Sequence, residues 1–288
     1  MIRTTIAVAL LLAILPAYAV FAQTLDGSPY TPGKDPNIDM FIGSWKDSMP
    51  KHTHGSLIER DILTKGDPIN PPTKGAVLKY INRYTHATLN AGSSTEKTTL
   101  KGEQEIILIM SGKGTVKGRK ISAALYPGIA LLIPANCPFT MQCTGDEPLT
   151  MYLVNEPIPA GFRPNKEILV KDENAEPIRS TNGHWCHIVK TLFGTKDGLG
   201  TLENILTVGF DPMTIAHPHS HKEGCEEVWT EIKGVSTAFI GKQIRTQPEG
   251  TAYMIPPDNN TPHANINTGK EQTKMFYFAR YGEHEVRK

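Results

Sequence analysis

The chain has 288 residues, of which 39% are apolar and 20% charged, ordinary proportions for a globular protein. Its 30 basic and 29 acidic side chains leave a formal charge of +1, and no basic tract stands out, so nucleic acid and anionic membrane are excluded as natural partners. The 25 glycines and 22 prolines favour many short strands over long helices.

Residues 1–22 read as a cleavable export signal, with an uncleaved membrane anchor as the alternative. Arg3 supplies the charged start, Ile6 to Leu15 form an apolar run too short to span a bilayer, and Val20-Phe21-Ala22 precedes a cleavage site at Gln23. The mature chain is therefore expected to be periplasmic or secreted, with no membrane segment left after cleavage. The stretch that follows, through Pro29, Pro32 and Pro36, reads as an extended arm or a flexible tether. Four cysteines, Cys137, Cys143, Cys186 and Cys225, fit no disulfide-scaffold spacing. Cys137 and Cys143 are the nearest pair for a bridge, which an exported chain can form.

From about residue 40 to 155 short apolar runs alternate with Gly and Pro. Glu156 to Lys166 holds three prolines and no periodicity, and reads as a linker. A second set of strand-like runs, rich in Val, Ile, Tyr, Phe and Thr, fills the remainder. The two sets repeat one another. Glu105 is followed after six residues by Gly112, and Gly128 after five residues by Pro134. Glu227 and Gly234, then Gly250 and Pro256, keep the same spacing, and 16 positions separate the two glycines in both halves.

This duplicated pattern resembles the two motifs of the cupin superfamily, repeated as in bicupins. The resemblance covers most of residues 70–155 and 190–280. It implies an all-β chain of two tandem cupin-type jelly-roll barrels, which often pair as homodimers. The expected division is an N-terminal barrel over 23–155, a linker over 156–166 and a C-terminal barrel over 167–288.

The second half carries the ligand types of the motif. His219-Ser220-His221 places two imidazoles on one face of a strand. Glu226-Glu227 follows, and His263 keeps the family spacing to Asn267. Three imidazoles and a carboxylate suit one divalent transition ion, Mn, Fe, Ni, Cu or Zn, with positions open to water or substrate. His221 to Glu227 spans five residues where the family has three or four. Glu226 fits that gap but lengthens the run to Gly234, so Glu227 is the preferred ligand. Asp258 to Thr261 replaces the family's short Gly turn, which puts the pocket rim in question. His217 is an outer partner of the site or an exposed residue. In the first half Phe139 stands where the third His would be, and no His-x-His precedes Glu105. That barrel is expected to be without metal. His52-Thr53-His54 has ligand spacing, but it precedes the barrel and has no matched carboxylate.

Counting alternate residues from Glu227 puts Trp229 and Glu231 on the same face, toward the barrel interior. Glu231 is thus a candidate general acid/base or a partner for a substrate hydroxyl. Had Glu226 been the ligand, Val228, Thr230 and Ile232 would face inward instead. Arg280 is a candidate to hold a substrate carboxylate, with an interface role as the alternative. Cys225 reads as a buried neighbour of the ligands, or as a soft ligand itself. The resemblance implies a metal-dependent enzyme acting on a sugar or a small carboxylic acid by lyase, isomerase or dioxygenase chemistry. The competing expectation is a non-catalytic binding or storage protein.

Overall fold

The computed structural model describes residues 28–179 and 187–282; the expected export signal and Cys186 lie outside them. The first half contributes β1 (Ile42–Ser44), β2 (Lys51–Thr53), β3 (Leu57–Lys65), β4 (Ala76–Leu78), β5 (Arg83–Leu89), β6 (Thr98–Thr99), β7 (Glu103–Ser111), β8 (Gly114–Lys117), β9 (Ser122–Leu125), β10 (Ile129–Ile133), β11 (Pro138–Cys143) and β12 (Leu149–Pro157). The second contributes β13 (Leu169–Asp172), β14 (His187–Gly194), β15 (Asn204–Phe210), β16 (Thr214–Ile215), β17 (Cys225–Lys233), β18 (Val235–Ile240), β19 (Gln243–Pro248), β20 (Thr251–Met254), β21 (His263–Asn267) and β22 (Thr273–Tyr281). The chain is all-β, two jelly-roll barrels in tandem. Among the described residues no helix is long and apolar enough to cross a membrane.

Each barrel has a large sheet facing a small one. The first stacks β13-β10-β7-β12-β5-β3-β2 against β6-β11-β8-β9. The second stacks β1-β20-β17-β22-β15-β14 against β16-β21-β18-β19. The repeat seen in the sequence is a repeat of strands. β7 lies between β10 and β12, as β17 lies between β20 and β22. Gly112 and Gly234, which end β7 and β17, have φ of 81° and 92°, the left-handed turn that glycine takes without a Cβ clash.

The strand ahead of each barrel is lent to the other. β1 pairs with β20, and β13 pairs with β10, both antiparallel. The two large sheets then pack on one another. Tyr84, Ile106, Leu132 and Val154 from the first meet Val228, Met254, Phe276 and Phe278 from the second in one buried cluster. Each barrel also has its own interior core, built from the alternate faces of the same strands.

The segment from Ser28 to Asp39 does not behave as a tether. Ile38 is 1% exposed inside the second barrel's core. Lys242 meets Asp35 at 3.3 Å, and Arg245 grips Asp39 through two hydrogen bonds of 2.8 and 3.0 Å. The arm is stapled to the β18–β19 hairpin. Cys137 and Cys143 are buried free thiols. They stand at opposite ends of an extended strand, roughly 20 Å apart, far beyond disulfide reach.

Candidate metal centre

Strand pairing brings the three histidines together. His219 faces His263 in an isolated antiparallel bridge, with backbone bonds of 2.8 and 3.3 Å. His221, two residues on, falls on the same side. Its carbonyl is fixed by the Asn259 N–H at 2.8 Å. The Asp258 to Thr261 insertion makes that rim: Asp258 accepts from the backbone of Asn260 and Thr261, and Asn259 takes φ of 64°. Across the barrel interior, Glu227 is the third residue of β17.

One ligand atom from each of His219, His221, Glu227 and His263 lies within 4.8 Å of the others. His221 Nε2 is 3.3 Å from Glu227 Oε2, and His263 Nε2 is 3.2 Å from Glu227 Oε1. His221 and His263 approach through their Nε2 atoms at 3.3 Å. Donors about 2.1 Å from a common ion stand roughly 3 to 4 Å apart, so the set fits a small divalent ion. Two imidazole nitrogens this close can share only one proton between them, whereas a cation satisfies both.

The surrounding hydrogen bonds orient these donors. His219 Nδ1 lies 2.9 Å from the His217 carbonyl, which fixes the proton there and leaves Nε2 as the donor atom. The ring of His217 is exposed, so its contribution is the backbone oxygen. Glu227 accepts from Trp229 Nε1 at 2.7 Å, from the Tyr277 hydroxyl at 2.9 Å and from the Tyr281 hydroxyl at 3.2 Å. The Tyr253 hydroxyl donates to Asn265 at 2.8 Å and faces His263 Nδ1 at 3.5 Å. Burial works to raise the Glu227 carboxyl, but the charges of His221, His263 and His219 hold it well below the usual range. Burial works to lower His221, and Glu227 outweighs it, leaving that imidazole raised.

Glu226 does not join the cluster. Its side chain points to the opposite face of the sheet and accepts from the backbone N–H groups of Lys79, Tyr80 and Ile81 at 2.6, 2.9 and 2.9 Å. Glu231 shares the inward face with Glu227, but four residues of strand put it roughly 13 Å further along, out of contact with the donors. It is fully buried, and neither carboxylate oxygen has a hydrogen-bond partner. Burial pushes it up to about 8, against a smaller opposing effect of the Ser236 hydroxyl and the Lys274 and Lys233 N–H groups that face it. Arg280 lies on the outward face, opposite Glu226 across the strand pair. Its guanidinium stacks 3.8 Å above the Tyr80 ring and donates to the Gly224 carbonyl, an interface position. Cys225 is buried outside the donor set, and burial raises its thiol. A cleft of 490 Å³ opens on that outer side, lined by Asp67, Tyr80, Glu223 and Cys225 among others and by none of the four donors.

Sequence reasoning placed Trp229 on the Glu227 face but missed the two tyrosine hydroxyls that also hold the carboxylate. The alternation of Tyr277, Ala279 and Tyr281 with Phe276, Phe278 and Arg280 carried the signal, since the inward set bears the hydroxyls. In the first barrel, Phe139 stands beside His54, ring centroids 5.6 Å apart. His54 does meet carboxylates: Glu105 lies at 3.6 Å and Glu59 at 4.0 Å. The fold delivers that pairing because β2 and β3 belong to the barrel's own large sheet, and the turn between them carries His54 to Glu105 and Glu59.

With this geometry in hand, solved structures of the same shape can be placed beside it. A glyoxylate-induced protein of Pseudomonas aeruginosa superposes with a TM-score of 0.67 at 11% identity, covering 89% of this chain and 95% of its own. The protein Ylba of E. coli gives 0.64 at 13% identity, over 85% and 92%. A variant of the oxalate decarboxylase OxdC of Bacillus subtilis gives 0.64 at 12%, over 88% and 80%. The fold is that of the cupins. No protein-family model matches the chain, and no curated protein matches it.

Proposed function

We propose that the chain is an exported, metal-dependent cupin enzyme that acts on a small carboxylic acid at one divalent transition ion held by His219, His221, Glu227 and His263. The observation that carries this reading is the convergence of three imidazoles and a carboxylate within 4.8 Å in a barrel interior. A bound Mn, Fe, Ni, Cu or Zn would polarise a substrate carboxylate, carbonyl or hydroxyl.

The chain's own residues prepare the site. Trp229, Tyr277 and Tyr281 anchor Glu227 so that both its oxygens stay aimed at the imidazoles. The His217 carbonyl and the Tyr253 hydroxyl set the tautomers of His219 and His263. His219 and His221 are only half-buried, so substrate enters from their side. Glu231 lies too deep to reach a substrate there, and Arg280 faces the other barrel, so neither is assigned a step. A carboxylic acid is preferred to a sugar because oxalate decarboxylases are among the solved structures of this fold, one of them a formate complex. The same neighbours favour lyase chemistry. Export rests on the leader sequence.

Elemental analysis of the purified mature chain tests the metal. One equivalent of a divalent transition ion is expected. Glu227→Gln should lower affinity by at least tenfold, and Glu226→Gln should leave the stoichiometry intact. A wild-type chain that takes up none of the five ions would sink the proposal, as would full loading of the Glu227 variant. The loaded protein, screened against small mono- and dicarboxylic acids, should turn one over. Binding without turnover would favour the non-catalytic reading.

A further inference from the structure

The first barrel's counterpart of the donor cluster is filled from above. Glu105 is third in β7 as Glu227 is third in β17, and Asn155 is its cross-strand partner. The turn between β2 and β3 hangs over it. His54, at the tip of that turn, has φ of 45°, a left-handed backbone that costs energy outside glycine. This backbone directs the imidazole into the barrel mouth, where its side chain is only 6% exposed. Nε2 stands 3.6 Å from Glu105 Oε2 and 4.0 Å from Glu59 Oε1. These separations suit an ion pair and exceed a hydrogen bond, and Nε2 has no hydrogen-bond partner.

The charges that face this imidazole come from three strands. Glu59 belongs to β3, Glu105 to β7 and Arg83 to β5, while Glu103, also on β7, is engaged by Arg83. Arg83 Nη1 meets Glu103 at 3.1 Å, while its Nε and Nη2 stay 3.9 and 4.0 Å from Glu59 and Glu105. From β11 the neighbour is the uncharged Phe139 ring. One guanidinium therefore faces three carboxylates, and a proton on His54 supplies the second positive charge. Burial opposes that proton, but Glu105 and Glu59 outweigh both burial and Arg83, so the imidazole is raised above the usual histidine range.

We propose that His54 is a proton-operated plug: its imidazolium, paired with Glu105 and Glu59, holds the β2–β3 turn closed over the polar end of the first barrel, beside Glu105 and Asn155, and loss of the proton releases the turn. Little else ties the turn down. β2 is the terminal strand of its sheet and pairs through three residues with β3 alone. Outside that pairing the turn is held by the Glu96 N–H, which donates to the His54 carbonyl at 2.9 Å, by the Thr53 hydroxyl on Glu59, and by the exposed Lys51–Asp61 pair. Such edges open at low free-energy cost. Behind the plug, Glu105 Oε1 and Asn155 Oδ1 are buried acceptors with no partner. An open mouth would present both to a small molecule rich in hydrogen-bond donors.

A histidine raised on folding stabilises the closed state fully below its unfolded pKa, and that contribution is lost as pH rises through its folded value. The test is hydrogen exchange of the backbone amides of residues 51–57 in the full mature chain, from about pH 5.5 to about pH 9, corrected for intrinsic rates. Protection should be high below about pH 6.5 and fall about tenfold for each unit by which the folded His54 value exceeds it. His54→Gln should give low protection that does not change with pH. The amides of β15 serve as reference and should not follow the drop; if they fall equally, the loss is global and the plug is refuted. Protection that is flat in the wild type, or a variant that keeps the wild-type slope, would also overturn it. Should His54→Gln fail to fold, Glu59→Gln keeps the imidazole and removes one counter-charge. It must shrink the drop, and an unchanged drop refutes the pairing.

Discussion

Glu226 and Glu227 are neighbours in one strand with opposite surroundings. Successive side chains of a strand point to opposite faces, so one carboxylate meets three imidazoles and the other three backbone N–H groups of the opposite half. Spacing alone left the choice open, because a strand's local pattern cannot show which face has donors waiting some 147 residues away in sequence. Glu231 shows the reverse case. Its face was legible by alternation, but its depth was not, since period two says nothing about distance along the barrel. Its environment yields a prediction. With a folded value of about 8 against 4.5 unfolded, the native state binds the proton more tightly, so stability falls as pH rises between those values. Glu231→Gln keeps the shape and removes the charge. It should stabilise the chain by a few kcal/mol above about pH 8, with the advantage shrinking toward about pH 5. Urea unfolding at both ends of that window measures it, and a pH-independent difference would show that the carboxyl ionises freely in the folded state.

At the scale of elements, the repeated Glu–Gly and Gly–Pro spacings mark equivalent strands. β7 and β17 are nine residues each, as are β12 and β22. What the repeat could not show is the exchange of β1 and β13, because each pairs with a strand of the other barrel. The same holds for the arm before β1. Proline-rich, polar sequence reads as loose chain when the groove that receives it lies about 200 residues away. Ile38 gives the arm its hold on the second core, and Asp39 sets its register on Arg245. Ile38→Ala should therefore cost about 2–4 kcal/mol, as for a buried aliphatic in a well-packed core. The loss should be read from denaturant unfolding monitored through the second barrel. A change below about 0.5 kcal/mol, typical of exposed positions, would show that the arm does not anchor there.

The whole molecule is held as one body by features that each cross between the halves. Two strands are exchanged, and the large sheets share a core. Two carboxylate clamps add to this. Glu226 grips the N–H groups of Lys79 to Ile81, and Glu156 grips those of Gly200, Thr201 and Leu202 at 3.0, 2.9 and 2.7 Å. The gripped loops are equivalent, since one leads into β5 and the other into β15. The gripping residues are not. Glu156 sits opposite Gln104 across the β7–β12 pair, whereas Glu226 sits opposite Arg280 across the β17–β22 pair, so the carboxylate has changed strand between repeats. Opening a clamp frees three backbone N–H groups, of which the buried one, on Ile81 or Leu202, is left unpaired at a cost of about 1–3 kcal/mol. Two separately stable barrels would melt in two steps, but these barrels each lack a strand and a clamp without the other. The expected calorimetric trace is a single transition with a van't Hoff to calorimetric enthalpy ratio near unity. Glu156→Ala, which removes a clamp far from the metal donors, should lower that transition as a whole without splitting it. Two resolved transitions in the wild type, or loss of the first barrel alone in the variant, would show that the exchanged strands and clamps do not couple the halves.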